Sequence, residues 1–295
     1  MNIVSQLFKH IEQKHLEEFG NKLTINNHNS LGGGCINHAL KLETNQGALF
    51  LKWNSSVPTD LFIREAESLN ELHKSNNEFL QFPKPLLAKE IDKLPGYLLT
   101  SYLQPGHSID DDEKLGRGLA TLHRISQNQF GFKNNNYCGA TLQDNSVKTN
   151  WIDFYLENRI GHLIKLIKKN RGWHENDEKT SAAFIKKAPL SLSHNPKPSL
   201  IHGDLWSGNR MSTSQGPALI DPCACYCDRE FEMGIMTMFG GFSSRVFEAY
   251  NEAYPLPHGW RERNNIYQLY HILNHYYLFG GHYKQQALEI MRRFI

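Results

Sequence analysis

The chain has 295 residues, room for about two domains of ordinary size. With 40% hydrophobic and 21% charged residues it carries enough apolar material for sizeable cores, which argues against wholesale disorder. Lys plus Arg number 32 and Asp plus Glu 30, a net of +2 with no basic run, so no nucleic-acid partner is expected, and for want of a long apolar stretch no membrane either.

Residues 1–19 read as an amphipathic helix, with Ile3, Leu7, Phe8, Ile11 and Leu16 near helical spacing. Their mixed charges, without an apolar core or a small-residue cleavage site, do not make a secretion signal, and a cytoplasmic location is expected. After Leu31-Gly32-Gly33-Gly34-Cys35, the runs Ile36–Leu42 and Ala48–Trp53 read as strands joined by Thr44-Asn45-Gln46-Gly47. Thr59 or Asp60 can cap a helix running to about Lys74. Beyond the break at Gln81-Phe82-Pro83-Lys84-Pro85, short strands are predicted near Leu86–Glu90 and Gly96–Tyr102. Asp111 to Ser126 places Leu115, Leu119, Leu122 and Ile125 on one helical face, and Trp151 to Lys169 is a second long amphipathic segment. Residues 171–198 are polar and close on Pro196 and Pro198. Two short apolar runs follow, Leu200-Ile201 and Ala218-Leu219-Ile220, and from Phe231 the pattern is helical again. The Asn-rich stretches read as loops. The expected class is α+β, with a small β-rich lobe over 1–103, a larger helical lobe over 104–295, and a ligand cleft between them.

Cys35 and Cys138 are isolated, whereas Cys223, Cys225 and Cys227 sit two apart. An odd, clustered set in a chain this long is not a disulfide framework. No second Cys/His cluster stands nearby in sequence to complete a metal site, so the three clustered thiols read as small buried hydrophobes.

The strongest chemical signal is Ile201-His202-Gly203-Asp204-Leu205-Trp206-Ser207-Gly208-Asn209, followed by Leu219-Ile220-Asp221. Asp204 and Asn209 are five apart, the spacing of the carboxylate and the amide in a phosphotransferase catalytic loop. Such a loop needs a carboxylate to orient a hydroxyl and accept its proton, and a neutral oxygen ligand for Mg2+. Asp221, twelve residues after Asn209, stands at the end of a predicted hairpin, where it can supply an anionic ligand. In the N-terminal part, Gly32, Gly33 and Gly34 let backbone N–H groups approach phosphates. Lys52 lies in the apolar strand Leu49-Phe50-Leu51-Lys52, where a charge is costly unless paired. Glu65 shares the apolar face of the following helix with Leu61, Phe62 and Leu69, whereas Glu67 points elsewhere. Lys52 and Glu65 therefore account for each other.

Together these residues resemble the protein-kinase-like bilobal fold, and more closely its aminoglycoside-phosphotransferase-like branch, which has His-Gly-Asp at this loop. Within that branch the sequence resembles the fructosamine kinase (ketosamine 3-kinase) family. The resemblance rests on His202 through Asn209, on Gly34-Cys35-Ile36-Asn37, and on Leu122-His123-Arg124-Ile125-Ser126 with Asn128-Gln129-Phe130-Gly131-Phe132. It extends to Met238-Phe239-Gly240-Gly241-Phe242 and to Tyr267 through His275, so it spans nearly the whole chain. Trp206 is its discriminating residue. Two positions depart from the family pattern: Cys223 follows Asp221-Pro222 where Ala is usual, and Glu232, with Glu230 nearby, stands where an Asp usually braces the catalytic loop.

The resemblance implies an ATP-dependent kinase acting on the sugar 3-hydroxyl of ketosamines, with ATP and Mg2+ as cofactors. The 3-phosphate eliminates and frees the amine, so the implied role is deglycation of proteins or small amines. It implies Asp204 as base, Asn209 and Asp221 as Mg2+ ligands, Lys52 on the α/β-phosphates and Glu65 on Lys52. The segment reaching Ser101, Tyr102 and Leu103 is expected to hold adenine, and Trp206 to contact the sugar-amine. Cys35, in the loop expected over the phosphates, is implied as a redox control point, so the chain is expected as a monomer or a Cys35-linked homodimer. A kinase of another small hydroxyl compound, aminoglycoside- or choline-like, is one alternative. A non-catalytic binding module is another, but it predicts loss of Lys52, Asp204, Asn209 or Asp221, and all four are present.

Overall fold

Helix α1 (Ile3–Phe19) opens the chain, in a computed structural model that describes residues 3–32, 37–90 and 94–295. Its buried residues are Leu7, Ile11 and His15, each four apart, whereas Ile3 and Leu16 are exposed. The stripe is thus narrower than the sequence suggested, because Leu16 lies about 100° around the helix from His15. Five strands follow: β1 (Ile25–Ser30), β2 (His38–Thr44), β3 (Gly47–Asn54), then β4 (Pro85–Lys89) and β5 (Gly96–Ser101) after helix α2 (Leu61–His73). They form an antiparallel sheet in the order β1-β2-β3-β5-β4. Strand β1 corrects the reading of Asn-rich stretches as loops. It is an edge strand with five exposed residues, held by main-chain pairing to β2, and polar side chains suit such an edge.

The sheet is apolar on both faces. Leu49, Leu51, Leu87, Tyr97 and Leu99 pack with Leu7 and Ile11 of α1, and Leu98 packs with Leu61, Phe62, Ala66 and Leu69 of α2. The alternation of a strand therefore turns Lys52, opposite Leu98 in the ladder, towards α2.

The rest is mainly helical. Helix α3 (Asp111–His123) precedes the small ribbon of β6 (Asn136–Cys138) and β7 (Thr141–Gln143). Residues 151–170 form one helical stretch: α4 (Trp151–Asp153), a π-helical segment Phe154–Gly161, and α5 (His162–Asn170). Helix α6 (Glu175–Lys187) occupies the polar region that sequence periodicity did not mark, since only Ser181 and Phe184 of it are buried. Strand β8 (Ser199–Ile201) pairs with β11 (Cys225–Cys227), and β9 (Arg210–Thr213) with β10 (Gly216–Leu219). Helices α7 (Arg229–Met238), α8 (Ser244–Ala253), α9 (Trp260–Phe279) and α10 (Tyr283–Arg293) complete the chain. Tyr267 and Tyr270 of α9 sit in a core with Phe130, Trp151, Tyr155 and Phe231, and Trp151 Nε1 donates to the Tyr267 hydroxyl at 2.9 Å.

Helix α2 joins the two parts through polar contacts. Tyr137 donates to Asp60 (2.7 Å), Tyr226 to Glu71 (2.9 Å), and the Ala224 N–H to Ser68 Oγ (3.2 Å). Among the described residues, no helix is long and apolar enough to cross a membrane.

Candidate active site

The segment after β8 carries the His-Gly-Asp sequence into a tight turn. Gly203 has φ +90°, and a Cβ there would lie 2.3 Å from the Cys223 carbonyl oxygen, so the position requires glycine. The Cys223 N–H donates to the His202 carbonyl at 3.0 Å, tying the loop to the segment that carries Asp221. His202 is buried and bridges the same two segments: Nε2 donates to the Ile220 carbonyl (2.9 Å) and Nδ1 accepts from the Asp204 N–H (3.3 Å). Burial lowers its pKa, which keeps the ring neutral in this bridging tautomer.

A 3-10 turn, Ser207–Asn209, folds Asn209 back onto Asp204. Asn209 Nδ2 donates to the Asp204 carbonyl (2.8 Å) and more weakly to its Oδ2 (3.4 Å). The amide oxygen of Asn209 is thereby turned away from Asp204. Burial, with the carboxylates of Asp221 and Glu232 adding to it, raises the Asp204 pKa to about 7, against the opposing Asn209 hydrogen bond. A carboxyl group poised there can take a proton from a hydroxyl near neutral pH.

Strands β9 and β10 form the expected hairpin, closed by the Ile220 N–H on the Asn209 carbonyl at 3.0 Å. Asp221 stands just beyond it in a left-handed conformation, φ 56°, with its side chain 47% exposed. Its Oδ1 lies 2.9 Å from Lys52 Nζ. Lys52 also meets Glu65, at 2.9 and 3.1 Å to the two carboxylate oxygens. Burial alone would lower the lysine pKa, but Asp221 and Glu65 together raise it, so the ammonium stays charged. Burial lifts Glu65 to about 7 in spite of Lys52. The pairing expected from sequence is thus present, and the structure adds Asp221 as its third member. Glu67 points away, towards Arg64 and Asn134. The Asn209 amide oxygen and the Asp221 carboxylate are hard oxygen donors on adjoining segments, a set that fits Mg2+.

Glu232, the departure noted in the sequence, braces the loop nonetheless. Its Oε2 accepts from the His202 N–H at 2.5 Å and its Oε1 from the Gly203 N–H at 3.1 Å. Glu230 instead takes Arg263 in a two-pronged pair, at 2.7 and 2.8 Å. The thiols of Cys223, Cys225 and Cys227 are buried as expected, with Cys225 and the fully buried Arg159 guanidinium 3.5 Å apart.

Trp206 is 39% exposed beside the loop. Its ring covers Gly208, where an added Cβ would lie 2.1 Å from the ring. Gly241 lies against Ser207, which brings the Phe239–Phe242 segment to the same rim, and Phe239 meets the His275 ring at 5.1 Å. Asn274 is instead a core residue, bonded to Thr141 at 2.5 Å. Ser101 ends β5, with its Oγ accepting from the Lys84 N–H (2.8 Å), and half-buried Tyr102 and Leu103 follow. Gly32 has open space around it. Gly33, Gly34 and Cys35 lie outside the described residues, as does Ile36. Sequence reasoning did not single out His271 or Cys138 for this site, yet both reach Asp204. No spacing signals them, because the fold alone brings β6 and α9 under the loop.

The family model for fructosamine kinase matches residues 7–295. A Vibrio parahaemolyticus protein named probable ketoamine kinase is 38% identical over 269 residues, covering 90% of this chain and 91% of its own. A chloroplastic protein-ribulosamine 3-kinase of Arabidopsis thaliana is 34% identical, covering 89% of this chain and 80% of its own. A crystal structure from Haemophilus somnus, provisionally named a fructosamine-3-kinase, superposes with a TM-score of 0.85 at 26% identity, over 98% of this chain and 99% of that one. Aminoglycoside phosphotransferase APH(4)-Ia shares the fold, with a TM-score of 0.57 at 13% identity over 96% and 98% of the two chains.

Proposed function

The chain belongs to the fructosamine kinase family and is a phosphotransferase acting on hydroxyl groups, and we propose that it transfers the γ-phosphoryl group of ATP to the 3-hydroxyl of ketosamines of the fructosamine or ribulosamine type. The observation that carries this reading is the convergence of Asp204, Asn209, Asp221, Lys52 and Glu65 on one site, with Trp206 at its rim.

In this reading ATP lies between the segments 1–103 and 104–295, with adenine against the main chain of Ser101, Tyr102 and Leu103. Gly32, Gly33 and Gly34 approach the phosphates. Lys52 holds the α/β-phosphates, and Glu65 fixes the lysine. The Asn209 amide oxygen and the Asp221 carboxylate would hold Mg2+, which when bound neutralises phosphate charge. Asp204 orients the sugar 3-hydroxyl and accepts its proton as the oxygen bonds to the γ-phosphorus and ADP leaves. Its elevated pKa makes it a competent acceptor near neutrality. Glu232 holds the loop so that Asp204 stays in place. Most of the rate enhancement is positioning and charge neutralisation. Trp206 offers a flat apolar face to the sugar-amine. Elimination of the 3-phosphate then releases the amine, which makes the reaction a deglycation of small amines or proteins.

The test is ATP consumption across four acceptors: a ribulosamine, a fructosamine, choline and an aminoglycoside. Turnover confined to the ketosamines supports the reading, and turnover of choline or the aminoglycoside in their place overturns it.

A further inference from the structure

Below Asp204, three side chains of different chemistry converge from separate elements. Cys138 Sγ at the end of β6, a carboxylate oxygen of Asp204 and an imidazole nitrogen of His271 on α9 all lie within 4.8 Å of one another. Cys138 is 3% exposed and His271 1%. Among the described residues, His271 Nε2 is buried with no hydrogen-bond partner, a costly state for a polar atom. The ring cannot easily turn to find one, since it stacks on Phe231 at 5.2 Å and 21°. The Cys138 sulfur in turn accepts a weak hydrogen bond from Asn274 Nδ2 at 3.4 Å.

We propose that Cys138, Asp204 and His271 form a binding site for a divalent transition-metal ion, of which Zn2+ fits best, and that its occupancy stops phosphoryl transfer by engaging the Asp204 carboxylate. A sulfur, a nitrogen and an oxygen donor suit a borderline-soft ion, whereas Mg2+ prefers an all-oxygen octahedron. Zn–ligand bonds of about 2.0–2.3 Å put tetrahedral ligands roughly 3.3–3.8 Å apart, so closing this trio asks for a shift on the order of 1 Å. Asp204 is the least buried of the three, so an ion would have to enter from its side. Asp221 is not a member of this trio, and Asn209 touches Asp204 through its Nδ2, so the two metal chemistries meet through Asp204. The inhibitory half of the proposal rests on Asp204 being the base, and the binding half does not.

The experiment titrates Co2+ into the full chain, reduced and freed of metal by chelation, without nucleotide, and follows the thiolate-to-cobalt charge-transfer absorption. Wild type is expected to develop this band at one ion per chain. Cys138→Ser is expected to lose the band, and His271→Gln to weaken binding by at least the roughly 10–100-fold that loss of an outer-shell partner costs. Circular dichroism checks that both variants are folded. In parallel, Zn2+ is added to the kinase assay: it should inhibit wild type reversibly, with chelator restoring turnover, and Cys138→Ser should need at least about tenfold more Zn2+. Cobalt binding without a sulfur band, or a band that survives in folded Cys138→Ser, overturns the site. A band that depends on both residues while turnover persists at saturating metal keeps the site and overturns its inhibitory role, whereas the reading of Asp204 as base stands or falls separately on the kinetics of Asp204→Asn.

Discussion

Replacing Glu232 with Gln separates the brace of the catalytic loop from its reacting groups. The carboxylate is 1% exposed and accepts from the His202 N–H at 2.5 Å and the Gly203 N–H at 3.1 Å. Gln has one acceptor oxygen, so its amide N–H must face one of these two donors. One charge-assisted hydrogen bond is lost and the other becomes neutral. Bonds to charged groups contribute about 1.5–3 kcal/mol and neutral ones about 1 kcal/mol, so the expected loss is about 2–5 kcal/mol. In chains somewhat shorter than this one each kcal/mol moves the thermal midpoint by about 2–4 °C, and the lower end suits a longer chain, which implies a drop of roughly 4–10 °C. Asp204 is the next residue after Gly203, and misplacing a reacting group by about 1 Å can cost about 100-fold in rate. Lys52 and Asp221 keep their contacts, so the KM for ATP should change much less than kcat. Differential scanning fluorimetry and steady-state kinetics read both effects. An unchanged midpoint together with wild-type kcat would refute the brace.

Asp204→Asn should lower kcat by about 10²–10⁴-fold while largely sparing ATP binding, and retention of near-wild-type turnover rules Asp204 out as base. Lys52→Met and Glu65→Gln should be strongly non-additive in kcat/KM, because both act through one ion pair; simple addition in the double mutant speaks against that pair. Gly208→Ala should drive the Trp206 ring from its place, raising the ketosamine KM with little loss of stability since the ring is partly exposed; an unchanged KM removes Trp206 from the acceptor site. Mild peroxide should produce a dithiothreitol-reversible dimer and a change of activity in wild type but not in Cys35→Ser; identical behaviour of the two leaves Cys35 without a redox role.

The parts of the site legible in sequence were those whose chemistry is written locally. Asp204 and Asn209 sit in one turn, and Asp221 follows after a hairpin length. Lys52 and Glu65 are distant in sequence but each broke an apolar pattern, and a buried charge needs a partner. Strand β1 and helix α6 were illegible for a shared reason. Both expose most of their residues, so hydrophobic periodicity leaves no mark on them. The loop brace was half legible: Glu232 stood at the right place, but only the fold shows that the longer side chain still reaches the His202 and Gly203 N–H groups. Cys138 and His271 were invisible beside Asp204, since 133 residues separate one from the other and their meeting is a property of the packed core.

The central claim is phosphoryl transfer to the sugar 3-hydroxyl of a ketosamine. Phosphorus NMR of the chain incubated with ATP, Mg2+ and a ribulosamine or fructosamine tests it directly. A new phosphate-ester resonance coupled to the proton on carbon 3 is expected, absent with Asp204→Asn, followed by its decay to inorganic phosphate as free amine appears. An ester on another carbon, or ATP consumed with no sugar ester formed, would contradict it.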